Sequence, residues 1–207
     1  MFTVKSFRRV RLTHHCQLEE IAGLLPRVDY LVASGRLPPG APADFYGRIA
    51  RLAKEQDTRL VVDTSGEALR LALEEGVFLI KPNLREFAEL TGRELANETQ
   101  EERLALELVA RRKSEVVVVS LGAAGVLAAT AQGAQRLRAP LAPIKSKVGA
   151  GDSTVAGMVL ALARGRPWRE ALRFGVAAGA AGVMTPGTEL CRREDAERLY
   201  DQIMQRT

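Results

Sequence analysis

Two cysteines in 207 residues, Cys16 and Cys191, are too few for a disulfide framework, and the pattern fits a reducing compartment. Aromatic residues are only 5% of the chain and are not interleaved with a basic stripe, which argues against a base-stacking nucleic-acid surface. No apolar run approaches the ~20 residues needed to cross a bilayer. The first residues also lack the basic region, apolar core and small-residue cleavage site of a secretory signal. A cytoplasmic protein with no membrane partner is expected. An apolar fraction of 46% and a charged fraction of 27% are those of a globular chain long enough to bury a sizeable core.

The net charge of +5 suggests an anionic partner until its distribution is considered. Residues 1–17 hold Lys5, Arg8, Arg9 and Arg11 and no acid, so the other 190 residues carry only about one net positive charge. The first 17 residues therefore read as a separate basic segment, and residues 18–207 as the folded portion. A basic arm that grips RNA or DNA is the competing reading, and it requires salt-dependent binding lost on deleting residues 1–17.

Short β-rich runs alternate with longer amphipathic stretches, the pattern of an α/β sheet. Strands are expected at residues 30–34, 60–63, 78–81 and 116–121, and helices at 43–55, 67–75, 84–90 and 101–112. Strand–helix–strand order favours parallel pairing through right-handed crossovers. Residues 126–130 and 135–141 flank a Gly-containing turn and predict an edge hairpin. Helices are then expected at 152–163, 168–183 and 193–204, with Gly165, Pro167, Pro186 and Gly187 punctuating the gaps. The class is α/β, a three-layer α/β/α sandwich, in which ligands bind outside the carboxyl ends of the strands.

The stretch Val148-Gly149-Ala150-Gly151-Asp152-Ser153-Thr154 carries the most chemistry. A small-residue turn opening an apolar helix lets the backbone approach a ligand, and its N–H groups make an anion site favoured by the helix dipole. Asp152 beside that site can take a proton from an alcohol while the amides hold charge on a transferring phosphoryl group. With Thr154 in last place this is neither a Walker A loop nor GxGxxG. The plain alternative is an Asp N-cap after a tight turn. Elsewhere, Lys81-Pro82-Asn83-Leu84-Arg85-Glu86 ends a strand and starts a helix, with Asn83 and Glu86 spaced for a capping box. Ser120-Leu121-Gly122-Ala123-Ala124-Gly125 is a glycine turn after a strand. Gly175 and Gly179 share one helix face, so a neighbouring helix or a ligand must approach it closely.

Taken in order, these segments resemble the PfkB, or ribokinase-like, carbohydrate kinases, over a stretch from about Leu18 to the end of the chain. Ser34-Gly35-Arg36-Leu37-Pro38-Pro39-Gly40 and Asp63-Thr64-Ser65-Gly66-Glu67-Ala68-Leu69 resemble the phosphofructokinase branch in particular. The resemblance implies ATP-dependent phosphorylation of a sugar phosphate, fructose 6-phosphate first, with tagatose 6-phosphate and fructose 1-phosphate as alternatives. Asp152 would be the base and Gly149, Ala150 and Gly151 the anion hole. Asn83 and Glu86 would organise Mg²⁺ through its waters, with Lys81 near the phosphates. Ser120, Gly122, Gly125, Ser146 and Val148 would contact the nucleotide, and Val176, Gly179 and Ala180 would wall its adenine. The loop Thr185-Pro186-Gly187-Thr188 would take a monovalent cation such as K⁺ at Gly187.

The family's N-terminal strands, lid and Gly-Gly sugar motif have no counterpart, and no Gly-Gly pair occurs in the sequence. Arg36 stands where a Ser is expected, Lys147 where a Thr is, and Glu189 where an Arg is. The donor half of a kinase is thus recognisable and the acceptor half is not. Three readings follow: a sugar-phosphate kinase, a remnant that at most binds nucleotide, and the basic-armed nucleic-acid binder. ATP and a sugar phosphate are the expected small-molecule partners, with a second copy or a complementing N-terminal fragment as the expected protein partner.

Overall fold

A computed structural model describes residues 18–187 and 189–205. The basic segment 1–17, with Cys16, and Thr188 of the expected cation loop lie outside the described residues. Two compact units are present: residues 18–120 with 127–135, and residues 121–126 with 136–187 and 189–205.

The first unit is built on a sheet. Its elements are α1 (Leu18–Leu24), a 3-10 turn (Leu25–Arg27), β1 (Tyr30–Ser34), α2 (Phe45–Glu55), β2 (Arg59–Asp63), α3 (Gly66–Glu75), β3 (Val77–Ile80), α4 (Leu84–Thr91), α5 (Glu98–Ala110) and β4 (Ser114–Ser120). β1 to β4 lie side by side in chain order and pair in parallel, with Val32 opposite Val61 and Val61 opposite Leu79. Parallel strands covered on both faces read as continuous apolar runs. Leu60, Val61 and Val62 in β2 and Val116–Val119 in β4 are such runs, and all are buried. β1, at the margin of the sheet, differs: its Val32 is 40% exposed. The amphipathic α2 buries Phe45, Tyr46, Ile49, Ala50 and Ala53 at three- and four-residue spacing and packs on α3 and β2.

β5 (Val126–Thr130) and β6 (Gly133–Leu137) extend the sheet beyond β4. Their connections are too short for a crossover, so this end of the sheet is an antiparallel hairpin.

The other unit is helical, with α6 (Ala150–Ala163), α7 (Trp168–Gly182) and α8 (Arg193–Gln205). α6 and α7 are packed closely through small residues, and α8 packs on α7, where Phe174 and Tyr200 meet edge to face at 5.6 Å. No described helix is long and apolar enough to cross a membrane.

Several expected boundaries are corrected. β6 covers Gly133–Leu137, not 135–141, because Pro140 and Pro143 cannot donate to a ladder; Leu141 is left 88% exposed. α5 begins at Glu98, not 101, because the Asn97 side chain accepts the Gln100 N–H at 2.9 Å and caps the helix earlier. α1 was not anticipated. Most consequentially, α6 begins at Ala150, not 152. Gly149 is its N-cap at φ +80°, a left-handed conformation that suits glycine, so Asp152 is the third helical residue and not a cap.

Candidate functional site

In the sheet unit, the carboxyl ends of β2, β3 and β4 gather charged and capping groups. Asn83 caps α4 with both halves of a capping box: its Oδ1 accepts the Glu86 N–H at 2.9 Å, and Glu86 Oε2 accepts the Asn83 N–H at 2.8 Å. This uses one carboxylate oxygen of Glu86 and leaves the other, on a half-buried side chain, for a hydrated cation. Ser120 is tied to the same turn, its N–H and hydroxyl both donating to the Pro82 carbonyl at 2.9 and 3.2 Å. Asn83, Glu86 and Ser120 are therefore brought together at the turn that follows Lys81. Among the described residues, no group of three or more His, Cys, Asp or Glu side chains could hold a metal ion by itself. A Mg²⁺ held here would keep most of its waters.

Asp63, Gly35, Tyr46 and Thr64, to which the sequence gives no individual role, belong to this cluster. Lys81 is buried and its Nζ lies 3.4 Å from Asp63 Oδ1. The Gly35 carbonyl accepts the Tyr46 hydroxyl at 2.9 Å and the Thr64 hydroxyl at 2.8 Å, while the Gly35 N–H donates to the Asp63 carbonyl at 3.0 Å. Burial raises the Tyr46 phenol above its ordinary pKa of 10.0, and the Asp63 charge raises it further. An Asp ending a buried apolar strand of a parallel sheet was the available signal for Asp63. Arg36, beside this knot, is exposed.

In the helical unit, Gly149, Ala150 and Gly151 form the first turn of α6, whose leading N–H groups have no intrahelical acceptor. Asp152 follows in that turn. The Thr154 hydroxyl donates to the Ala150 carbonyl at 2.9 Å, bracing the turn from within. The preceding strand of loop is fixed as well. Lys145 and Ser146 donate their N–H groups to the Val183 carbonyl at 2.7 and 3.2 Å. The Ser146 hydroxyl donates to the Gly187 carbonyl at 3.0 Å and accepts the Val148 N–H at 3.1 Å. Ser146, Val148, Gly187 and the Gly149–Asp152 turn are thus brought together. The Thr185 hydroxyl donates to the carbonyls of Gly182 and Glu189 at 2.9 and 3.0 Å, closing the loop around Gly187.

The glycines divide by what they accommodate. A Cβ on Gly179 would fall on Thr154 Oγ1, and one on Gly175 would fall on Met158, so α6 is the body that approaches this face of α7. Val176 and Ala180 are buried within the unit at 4% and 8% exposure. Gly125, at φ +101°, would place a Cβ against the backbone of residues 137–139, whereas Gly122, at φ +61°, faces open space.

The pfkB family carbohydrate kinase profile matches residues 10–195. An ATP-dependent 6-phosphofructokinase isozyme 2 of Mycobacterium tuberculosis is 43% identical over 184 residues, covering 89% of this chain and 54% of that protein. A 1-phosphofructokinase of Bacillus subtilis is 34% identical, covering 84% of this chain and 57% of that protein. The crystal structure of phosphofructokinase-2 from Escherichia coli in complex with potassium superposes with a TM-score of 0.84 at 37% identity, covering 89% of this chain and 61% of that one. The chain spans a little over half the length of the relatives it matches.

Proposed function

The chain belongs to the pfkB family of carbohydrate kinases and has their ribokinase-like α/β fold, and on that premise we propose that it carries the donor half of a sugar-phosphate kinase. The reaction proposed is transfer of the γ-phosphoryl group of ATP to fructose 6-phosphate, giving fructose 1,6-bisphosphate and ADP. Asp152 takes the proton of the sugar's primary hydroxyl as its oxygen bonds to the γ-phosphorus, and the β,γ-bridging P–O bond breaks. The N–H groups of Gly149, Ala150 and Gly151 stabilise charge on the phosphoryl oxygens. Asn83 and Glu86 would hold a hydrated Mg²⁺, which would supply positive charge against the phosphates. Lys81 is assigned to the phosphates, Ser120, Gly122, Gly125 and Val148 to the nucleotide, and Val176 and Ala180 to the adenine, whereas the face of Gly179 is taken by Thr154. The loop at Gly187, braced by Ser146, would take a monovalent cation.

The observation that supports this reading best is the start of α6. A left-handed Gly149 cap opens the helix with three small residues and sets a carboxylate in the same turn. Fructose 1-phosphate and tagatose 6-phosphate are alternative acceptors. A second reading is that the chain binds ATP without turnover.

The test is ATP turnover with each acceptor and Mg²⁺, together with calorimetric binding of ATP. Asp152→Asn is expected to lower turnover by about 10²–10⁴-fold and to leave ATP affinity unchanged. Undiminished turnover in the variant removes Asp152 as the base. Binding without turnover in the unaltered chain selects the second reading.

A further inference from the structure

Asp63 and Lys81 stand at the carboxyl ends of adjacent parallel strands, one step beyond the paired Val62 and Ile80. Their side chains are only 7% and 16% exposed, Lys81 the lower, and Nζ lies 3.4 Å from Oδ1. A lysine withdrawn this far from water cannot keep its charge cheaply without a counter-charge. The Asp63 backbone also serves the neighbouring strand, because its carbonyl takes the Gly35 N–H at 3.0 Å. Gly35 is held from its other side by the hydroxyls of Tyr46 and Thr64. Asp63 is therefore a junction: its main chain anchors the loop after β1, and its carboxylate anchors the ammonium after β3.

We infer that Asp63 is a positioning residue for nucleotide binding, acting through Lys81, whose ammonium it holds at the strand ends in a single direction. The inference rests on the reading of Lys81 as the group beside the ATP phosphates. A lysine is a point charge on a flexible stem, so its value to a phosphate depends on where the stem is held. The ion pair supplies that constraint without contact between Asp63 and the ligand. Replacing the carboxylate by an amide of the same shape frees the ammonium while conserving volume, and lengthening it to glutamate keeps the charge.

The experiment is a double-mutant cycle on MgATP affinity, by calorimetry on the full chain, with melting temperatures recorded for each variant. Asp63→Asn is expected to weaken MgATP binding about tenfold and Asp63→Glu to restore most of it. Lys81→Met alone should weaken binding by a similar factor, about tenfold. In the Asp63→Asn background the same lysine change should cost almost nothing more. A purely structural Asp63 lowers the melting temperature yet leaves the full effect of Lys81→Met in place, and that additive result overturns the inference. Unchanged affinity in Asp63→Asn overturns it too, while the kinase reading stands. An unaltered chain that binds no ATP overturns the kinase reading and the inference with it. If Asp63→Asn fails to fold, Asp63→Glu decides: recovered stability with MgATP affinity still reduced about tenfold counts against positioning by charge.

Discussion

The contact between Thr154 on α6 and Gly179 on α7 is a sharp test, because two opposing effects there predict a change of sign. Glycine inside a helix costs about 0.5–1 kcal/mol relative to alanine, so Gly179→Ala in open space would stabilise α7 by that amount. The space is not open. The new methyl would fall on Thr154 Oγ1, with the Ala150 carbonyl oxygen at 3.2 Å and Thr154 Cβ at 3.4 Å. Thr154 is buried and its hydroxyl is engaged with the Ala150 carbonyl, so rotating it away breaks that bond in a packed interior. Overpacking of this kind costs about 1–3 kcal/mol and outweighs the propensity gain. A net loss of about 1–2 kcal/mol is expected, or roughly 2–8 °C in melting temperature for a chain of this size. Thr154→Ala removes the obstructing oxygen and leaves only the 3.2 and 3.4 Å contacts, which a shift of a few tenths of an ångström relieves. In that background Gly179→Ala should be neutral or stabilise by up to about 1 kcal/mol. Urea unfolding followed by Trp168, the single tryptophan and the first residue of α7, measures all four corners of the cycle. The same change in stability from Gly179→Ala in both backgrounds would refute the account of how α6 and α7 meet.

The two glycines of the Gly122–Gly125 turn should separate sharply. Gly125→Ala drives a Cβ into backbone, with Ala139 N at 2.7 Å and Arg138 Cα at 2.9 Å, at φ +101°, and should cost about 3 kcal/mol or more in urea unfolding. Gly122→Ala meets only the strain of φ +61° and should cost about 1–2 kcal/mol, so equal losses contradict the geometry. Tyr46, with its folded-state pKa raised above 10.0, binds its proton more tightly folded than unfolded. Its contribution is fully present below about pH 10 and declines above it, where the unfolded chain ionises first and the folded chain resists until its own raised pKa is passed. Unfolding titrations between about pH 9 and 11 should show a steeper loss in the unaltered chain than in Tyr46→Phe, and an identical slope rejects the assignment.

What could be read from the sequence follows from which interactions are local. β1 was placed to the residue, and β2 to β4 within two residues, because a parallel sheet demands unbroken apolar runs between helical connections. The capping box of α4 was legible for the same reason: Asn83 and Glu86 are three residues apart, and the geometry of a helix start dictates both bonds. The beginning of α6 was misplaced by two residues because an aspartate ahead of an apolar helix usually reads as its cap. A left-handed glycine displaced it from that position, so Asp152 sits inside the turn whose amides were assigned to the anion hole.

What could not be read depends on partners distant in sequence. Gly175 and Gly179 announced a close approach but not the body that makes it, since a helix and a ligand require the same absence of a side chain. Thr154 and Met158, some twenty residues earlier, supply that body. Lys81 announced a cation at a strand end, but its carboxylate partner is set by the register of β2 against β3, which no periodicity encodes. The two cases share a logic. Groups named for the chemistry, the α6 turn and the Lys81 ammonium, are each held by a residue to which the sequence gives no role of its own, Thr154 in the first and Asp63 in the second. If the named groups supply the chemistry and the fold supplies their aim, conservative changes at Thr154 and Asp63 should affect ligand affinity while every group assigned to the chemistry remains in place.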